Sequence, residues 1–330
     1  MSPSNPTSPL GRPAIAAATD WTDPAALRAY LRQVRILEDP IDGRALVDAT
    51  PEMEEYVEVH GRSAALSLTM LQRQLPAGRR LRVLELGGAP YYFSVLMARA
   101  FDIELTAANV QAGAWPGEPG ELRRGIVELA VPDGDGRLAI QVEVFNIEKD
   151  PFPFPDDHFD VVLCMEVLEH LCYSPSHMLA ESHRVLAPGG LFFLTVPNFL
   201  NVKRLVNMAL GRPTEYPYSG YGVYGRHARE FAPGEVRRLF EACHYRVLDL
   251  ATANVWPTFK GRDAASRIKG LFNALLNGLT ALPLPFLAAK REYILCAARA
   301  EGEALCAYPE WLYVHRHLYP APPNGITKAP

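Results

Sequence analysis

Residues 81–99, LRVLELGGAPYYFSVLMAR, decide the fold, because a short apolar run passes through a glycine-containing turn into a helical pattern. The run 81–86 has strand length, and the acidic residue Glu85 closes it. Gly87 and Gly88 permit a tight turn and close approach of a ligand to the backbone. The helix that follows begins with N–H groups that have no partner inside the helix. This is where an open α/β sheet binds a nucleotide-like ligand, although a turn without a ligand is the alternative.

Other strand-length apolar runs follow the first one. They are IELTAAN, IQVEVFN, FDVVLC and LFFLTV, and segments of helical character separate several of them. Residues 125–146 predict a β-hairpin whose turn is Asp133-Gly134-Asp135-Gly136. Near-continuous apolar strands between helices predict an α/β protein with a mostly parallel sheet covered on both faces. The dinucleotide fingerprint G-x-G-x-x-G is absent, because Ala89 and Tyr92 occupy two of its glycine positions, which disfavours a nicotinamide enzyme.

Composition restricts the class of protein further. The chain has 330 residues, of which 48% are apolar and 21% charged, and these shares are ordinary for a globular protein. A net charge of −4 gives no sign of the basic surface that binds nucleic acid. The five scattered cysteines indicate reduced thiols, and we find neither a signal-length nor a membrane-spanning apolar run. We therefore expect a cytoplasmic protein.

The pattern along the chain predicts six regions. They are a disordered tail (1–20), an N-terminal helical cap (21–75), the core (76–200), a substrate loop or lid (201–232), the C-terminal part of the core with an amphipathic helical insertion (233–300), and a C-terminal tail (301–330). The insertion, RIKGLFNALLNGLTALPLPFLAAKR at 267–291, has basic ends and an apolar middle. It could form a peripheral membrane contact, a homodimer contact or ordinary core.

Residues 160–171, DVVLCMEVLEHL, predict a strand that runs into a helix carrying Glu166, Glu169 and His170. Their spacing of i, i+3 and i+4 places all three on one helical face. A later segment, GYGVYGRHAREF, contributes His227 if the chain returns over the same edge of the sheet. Two carboxylates and two imidazoles suit a divalent metal with open positions. Alternatively, His170 or His227 acts as a general base without metal, or the groups make structural hydrogen bonds.

Three segments together resemble the class I S-adenosylmethionine-dependent methyltransferases. They are VLELGGAP (83–90), FNIEKDPFPFPDDHFDVVLCMEVLEHL (145–171) and ESHRVLAPGGLFFLTVPN (181–198), in the order that the family has. The resemblance covers about residues 60–250. It implies a Rossmann-like, seven-stranded methyltransferase sheet with helices on both faces, an antiparallel last strand and an N-terminal helical cap. It also implies S-adenosyl-L-methionine as the cofactor.

The resemblance also implies which residues contact the cofactor. Glu85, Gly87 and the neighbouring backbone at Gly88 and Ala89 match the part of the motif that holds the methionine moiety. The Gly-x-x-Pro-Tyr turn resembles a bacterial branch of the family that is often associated with glycan and secondary-metabolite pathways.

The nucleoside side of the cofactor is matched by four further positions. Asn109 stands where the family usually has an acid for the ribose hydroxyls, and an amide can still hydrogen-bond a diol. Asn146 and Ile147 match the positions that flank adenine, and Cys164 matches the end of the fourth strand beside the cofactor.

The pattern E-x-x-E-H followed by R-H resembles the small-RNA terminal 2′-O-methyltransferases, in which these residues hold magnesium or manganese. Ubiquinone-pathway O-methyltransferases share the E-x-x-E-H part. The resemblance implies Glu166, Glu169, His170 and His227 as metal ligands, with His170, His227 and Glu166 as catalytic candidates. Many methyltransferases carry E-x-L-E-H here without metal, and in them the first glutamate orients substrate.

The segment 214–231 is rich in tyrosine and arginine. Tyr218, Tyr221, Tyr224 and Arg226 could pack on a sugar ring and pair with acidic groups of an acceptor, or the tyrosines could pack on the domain itself. We expect an O-methyltransferase acting on a hydroxyl of a sugar-containing or related small acceptor. The alternatives are an RNA 2′-O-methyltransferase and a non-catalytic cofactor-binding scaffold.

Overall fold

A computed structural model of the chain describes residues 20–38, 51–110, 121–214, 223–256, 263–319 and 326–328. The predicted disordered tail, apart from residue 20, lies outside the described residues, and so do Tyr218 and Tyr221 of the predicted acceptor loop.

The helices are α1 (Pro24–Leu31), α2 (Pro51–Gln74), α3 (Tyr92–Ala100), α4 (Pro175–Val185), α5 (Val202–Ala209), α6 (Pro233–Ala242), α7 (Ala264–Ala281) and α8 (Pro285–Ala288). The strands are β1 (Arg35–Glu38), β2 (Leu81–Leu86), β3 (Ile103–Asn109), β4 (Arg123–Ala130), β5 (Arg137–Val144), β6 (Phe159–Met165), β7 (Leu186–Pro197), β8 (Tyr245–Ala253), β9 (Tyr293–Ala300), β10 (Leu305–Cys306) and β11 (Thr327–Lys328).

The central sheet confirms the predicted α/β, Rossmann-like class but not the predicted number of strands. Nine strands of the described chain pair in the order β1-β4-β5-β3-β2-β6-β7-β9-β8, where seven were expected. The two additional strands lie at one edge: β4 forms the predicted hairpin with β5, and β1 pairs antiparallel with β4. From β5 to β7 the strands are parallel, and β9 runs antiparallel between β7 and β8.

The central strands form because both of their faces are buried. Successive residues alternate between two hydrophobic clusters: Val83 and Val161 belong to one, and Leu84 and Val162 belong to the other. The first cluster includes side chains of α1, α2 and α3, and the second includes side chains of α4 and α6. The alternation explains why these strands read as continuous apolar runs in the sequence.

The predicted helical cap over residues 21–75 needs a correction. Its helices α1 and α2 enclose the strand β1, in which Arg35 pairs with Ala130 and Ile36 with Leu129 of β4. Four residues are too few to show a period, so this strand depends on its distant partner rather than on local pattern.

The predicted C-terminal tail also belongs to the folded body over its described part. Cys306, Tyr308 and Tyr313 are buried beside Ala180 of α4. The Tyr313 hydroxyl lies 2.8 Å from the hydroxyls of both Ser174 and Ser176, which anchors the tail at the start of α4.

The described residues contain no helix that is long and apolar enough to cross a membrane.

A buried ion pair fixes the extra hairpin to the helical layer. Asp133 in the hairpin turn accepts hydrogen bonds from Arg99 Nε of α3 at 2.9 Å and from the Tyr30 hydroxyl of α1 at 2.8 Å. Their side chains are well covered, with Arg99 8% and Asp133 13% exposed.

We predict that Asp133→Ala lowers the free energy of unfolding by about 3 kcal/mol, because it leaves the Arg99 guanidinium buried without its partner. Chemical denaturation of the full chain measures this. Glu121→Ala is the matched control, because its pair with Arg123 is exposed and such pairs contribute below about 1 kcal/mol. Equal losses in the two variants would contradict the prediction.

Candidate active site

The turn after β2 is shaped by Gly87. Its φ of +68° lies in the left-handed region, and its N–H donates to the carbonyl of Ala108 at 2.7 Å. A Cβ at this position would overlap the Cγ2 methyl of Val167. Both the backbone conformation and the close approach of the segment after β6 therefore require glycine here.

Asn109, at the end of β3, braces the same turn. Its Oδ1 accepts from the Ala89 N–H at 3.1 Å, and its Nδ2 donates to the Tyr91 hydroxyl at 2.8 Å. The predicted role of this amide is to hydrogen-bond the ribose hydroxyls of the cofactor. The structure shows that much of its hydrogen-bonding capacity is used within the protein, although the side chain still lines a cavity described below.

Two predicted cofactor residues lie in the core rather than on a cavity wall. Glu85 is 2% exposed and accepts a hydrogen bond from the Ser94 hydroxyl of α3. Burial raises the pKa of Glu85 to about 7, and the bond from Ser94 opposes this rise. Cys164 is fully buried within the second hydrophobic cluster, where burial raises the pKa of its thiol. Their contact with the cofactor stays a prediction, because sequence alone does not tell a residue on a cavity wall from one in the core.

One cavity joins the glycine turn to the acidic and histidine residues. It has a volume of about 170 Å³. It is lined by Gly87, Ala108, Asn109, Val110, Asn146, Ile147, Glu166, Val167, His170, Leu171 and Tyr224. Of the eight predicted cofactor residues, Gly87, Asn109, Asn146 and Ile147 line this cavity.

Glu148 organises the cavity wall next to Asn146 and Ile147, and sequence reasoning missed it. Its Oε1 accepts from the N–H groups of Tyr173 and Ser174 at 2.6 and 3.0 Å, and its Oε2 accepts from the Tyr224 hydroxyl at 2.8 Å. Tyr224, predicted to contact the acceptor, is thus held as part of the cavity wall beside Asn146. The signal that was available is an acid directly after the predicted adenine pair Asn146-Ile147.

The segment after β6 is not the predicted α-helix. Glu166 has a φ of +56°, which ends the strand in a left-handed turn, and only Leu168–His170 form a short 3₁₀ helix. The backbone carbonyl of Glu169 accepts from the N–H groups of Ala228 and Arg229 at 2.7 and 3.2 Å. These two bonds bring the loop that carries His227 to the same edge of the sheet as His170.

Glu169, His170 and His227 form a compact cluster. One candidate ligand atom from each lies within 4.8 Å of the others, and the two imidazole rings are 4.9 Å apart and perpendicular. The Nδ1 of His170 lies 3.1 Å from the carbonyl of Arg226, and its Nε2 lies 4.0 Å from Glu169 Oε1. The prediction included Glu166 in this set, but the side chain of Glu166 lies outside the group.

The carboxyl group of Glu169 is buried without a hydrogen-bond partner on either oxygen. Burial, and then the neighbouring Glu166, raise its pKa well above the ordinary range. Burial, and then His227, lower the pKa of His170 to about 4, so its imidazole is neutral at physiological pH. A buried carboxyl without a partner is costly, and a bound cation would remove that cost. The donor set therefore fits a divalent metal.

Metal-binding histidines commonly contact a carboxylate through the ring nitrogen that does not face the metal, and His227 has such a contact. Its Nδ1 lies 2.9 Å from Glu230 Oε1, and Glu230 is paired in turn with Arg204 of α5. Such a carboxylate partner fixes the ring and its tautomer. Glu230 was not singled out in the sequence, although its position three residues after His227 is a usable signal.

Glu166 lies between two cavities. Its Oε1 accepts from the Thr195 hydroxyl at 2.7 Å, and it also bonds to the Tyr293 side chain. Burial raises the pKa of Glu166 to about 7. The second cavity, about 40 Å³, lies under α2 and α3 and is lined in part by His60, Tyr92, Glu166 and Thr195.

Comparison with known proteins finds methyltransferases that are similar to part of the chain. Residues 122–194 match a family described as "Methyltransferase domain". A protein of Mycolicibacterium smegmatis named "Probable S-adenosylmethionine-dependent methyltransferase" is 33% identical over 97 residues, which are 29% of this chain and 32% of that protein. A ubiquinone biosynthesis O-methyltransferase of Aeromonas salmonicida is 28% identical over 120 residues, covering 36% of this chain and 49% of that protein.

The matched segments thus span about a third to a half of these curated relatives. Among solved structures, the complex of the Haloferax volcanii Trm112 methyltransferase activator with a methyltransferase aligns with 16% identity and a TM-score of 0.45, covering 76% of this chain and 93% of that one. The sequence matches are thus similarities to S-adenosylmethionine-dependent methyltransferases over part of the chain.

We predict that Gly87→Ala weakens binding of S-adenosylhomocysteine by about tenfold or more, because the new methyl group displaces Val167 on the cavity wall. Isothermal titration calorimetry measures the affinity. Gly78→Ala is the control, since Gly78 also has positive φ (+82°) but nothing within 4 Å of its added Cβ. If both variants bind like the unchanged protein, the cavity at Gly87 is not the cofactor site.

Proposed function

We propose that this protein is an S-adenosylmethionine-dependent O-methyltransferase that acts on a hydroxyl of a sugar-containing or related small acceptor. The observation that carries the proposal is the single cavity that joins the glycine turn at Gly87 to Glu166 and His170. Predicted cofactor residues and two groups that can accept a proton, Glu166 and His170, line this cavity together.

The cofactor would lie along the carboxyl ends of β2, β3 and β5. Gly87 and Asn109 would line its methionine and ribose parts, and Asn146 and Ile147 would flank its adenine. When bound, S-adenosylmethionine supplies an electrophilic methyl group on a sulfonium centre. The chain's own contribution is to align the acceptor oxygen with that carbon and to receive its proton.

Glu166 is the group best suited to receive the proton. It reaches both cavities, so it stands between the donor side and the space under α2 and α3. With a pKa near 7, it is largely ionised at slightly alkaline pH and basic enough to accept a proton. The neutral imidazole of His170 is the second candidate base, but its low pKa makes it a weaker one.

Glu169, His170 and His227 would hold magnesium or manganese. Bound there, the cation would lower the pKa of a coordinated acceptor hydroxyl and fix its orientation. The support is the unpartnered, buried carboxyl of Glu169 together with the Glu230 contact that orients His227.

The second cavity supports a compact acceptor group next to Glu166. Its polar wall residues His60, Tyr92 and Thr195 can orient one or two hydroxyls, and the rest of its lining is largely apolar. The Aeromonas relative is named as an O-methyltransferase, which agrees with transfer to oxygen.

The proposed methyltransferase activity is tested by incubating the protein with methyl-labelled S-adenosylmethionine and separate acceptors: a sugar nucleotide, a phenyl glycoside and a short RNA. A methyl ether on a small acceptor is expected, whereas methylation of the RNA alone would contradict the proposed acceptor class.

We predict that kcat falls as the pH drops through about 7, because protonation removes the Glu166 carboxylate. Glu166→Gln should abolish this inflection and lower kcat by about 10²–10⁴-fold. Thr195→Val removes a hydrogen bond that stabilises the carboxylate, so the inflection should move to higher pH. An unchanged pH profile in Glu166→Gln would exclude Glu166 as the base.

We predict that manganese raises the melting temperature of the chelator-treated protein, because it binds the folded state only. Glu169→Gln, a neutral isostere of the protonated carboxyl, should keep the metal-free melting temperature but lose the manganese shift. His227→Ala should lose the shift as well, and the exposed His317→Ala should keep it. A shift that survives in both cluster variants would place the metal elsewhere.

A further inference from the structure

Helix α7 presents its apolar face to solvent. Over its 18 residues it buries only Gly270, Leu276 and Thr280. Apart from Leu276, its large apolar side chains lie on another side and are between 41% and 69% exposed: Ile268, Leu271, Phe272, Leu275 and Leu279. Their spacing of i, i+3, i+4, i+7 and i+11 forms a single stripe along the helix. In a helix that packs on its own domain, this stripe would face the core.

Polar contacts hold α7 in this orientation. Asn254, directly after β8, donates through Nδ2 to the Thr280 hydroxyl at 2.9 Å and to the Asn277 carbonyl at 3.4 Å. Arg291 donates through Nε to the Thr280 carbonyl at 3.0 Å. The side of α7 that faces the body thus carries these polar contacts together with the buried Gly270 and Leu276, which leaves the stripe outside.

The exposed stripe continues beyond the end of α7. Leu282, Leu284 and Phe286 are 46%, 43% and 65% exposed. We call these three and the five stripe residues of α7 the α7 face. It holds eight of the sixteen large apolar side chains that are exposed in the described residues. An apolar surface this concentrated marks an interaction site.

The charge along the α7 face is mostly positive: the bordering acids are Asp263, whose side chain caps the start of α7, and Glu292, which is fully buried. Residues 264–291 contain Arg267, Lys269, Lys290 and Arg291 and no acidic residue, although the whole chain carries a net charge of −4. Arg267 and Lys269 are exposed at the first turns of α7, next to Ile268. A partner that matches this surface is apolar inside and negatively charged at its boundary.

We propose that the α7 face binds the surface of a lipid bilayer that contains anionic headgroups. Lying in the plane of the membrane, the stripe would enter the boundary between headgroups and acyl chains while Arg267 and Lys269 stay at the headgroups. A second copy of the chain fits less well. A symmetric interface would bring the basic segments of both copies together, and residues 264–291 contain no acid to pair with them, while the bordering Asp263 is engaged in capping α7.

The attachment point places this surface near the active-site edge of the sheet. The last residue of β8, Ala253, pairs with Tyr293, and Tyr293 also pairs with Pro197 at the end of β7. These strand ends lie at the same edge as Glu166, which bonds to the Tyr293 side chain. A protein docked by α7 would thus hold its candidate active site close to the bilayer.

Sedimentation of the full chain with vesicles tests the proposal. The protein should bind vesicles of phosphatidylcholine mixed with phosphatidylglycerol much better than vesicles of phosphatidylcholine alone, and salt should weaken the binding. The double variant Leu271→Glu/Leu275→Glu should lose binding to both. Arg267→Glu/Lys269→Glu should lose about tenfold or more on the anionic vesicles only.

Matched controls separate the α7 face from a general effect of added charge. Val314→Glu/Leu318→Glu alters two residues that are 75% and 71% exposed elsewhere, and should leave vesicle binding unchanged. Each variant should keep its melting temperature, and Leu271→Ser replaces the glutamate variant if that one fails to fold. No binding by the unchanged protein, or equal loss in the control, would overturn the proposal. So would a dimer in sedimentation velocity that Leu271→Glu/Leu275→Glu converts to a monomer, because that result assigns the α7 face to self-association.

Discussion

Two backbone hydrogen bonds determine the arrangement of the candidate active site. The N–H groups of Ala228 and Arg229 donate to the carbonyl of Glu169, which joins the loop after α5 to the short turn after β6. This connection, together with the contact of His170 Nδ1 with the Arg226 carbonyl, holds His227 beside His170, from which it is separated by 57 residues in sequence. The perpendicular contact of the two imidazoles depends on this attachment, and Glu230 then orients the His227 ring.

The same region concentrates charge that the fold alone does not need. Glu166, Glu169 and Glu230 lie close enough that each of the first two has its pKa raised by a neighbouring acid in addition to burial. Buried like charges reduce stability, and proteins keep them mainly where binding or catalysis requires them. A cation at Glu169 and a methyl donor beside Glu166 would each relieve part of this cost, which gives a physical reason for the cluster.

The sequence predicted the parts of the fold that depend on local pattern. The runs 81–86, 103–109 and 159–165 are strands as expected, because burial on both faces demands continuous apolar residues. It missed β1, whose four residues are defined only by pairing with β4. The prediction of a helix over Glu166–His170 was wrong. The left-handed backbone at Glu166 is imposed by its surroundings, and no side chain in the sequence signals it. At the site, the expected return of the chain over the sheet edge brought His227 to Glu169 and His170, but the sequence pattern could not tell that Glu166 turns towards Thr195 or that Glu85 and Cys164 are buried in the core.

The central claim is that the cavity between Gly87 and His170 holds the methyl donor with its reactive end towards Glu166. A crystal structure of the protein with S-adenosylhomocysteine tests this most directly. We predict that the bound ligand has its adenine between Asn146 and Ile147, its ribose near Asn109 and its sulfur atom facing Glu166. A nucleoside bound at another place on the molecule, or a cavity closed by its own side chains in the presence of excess ligand, would contradict it.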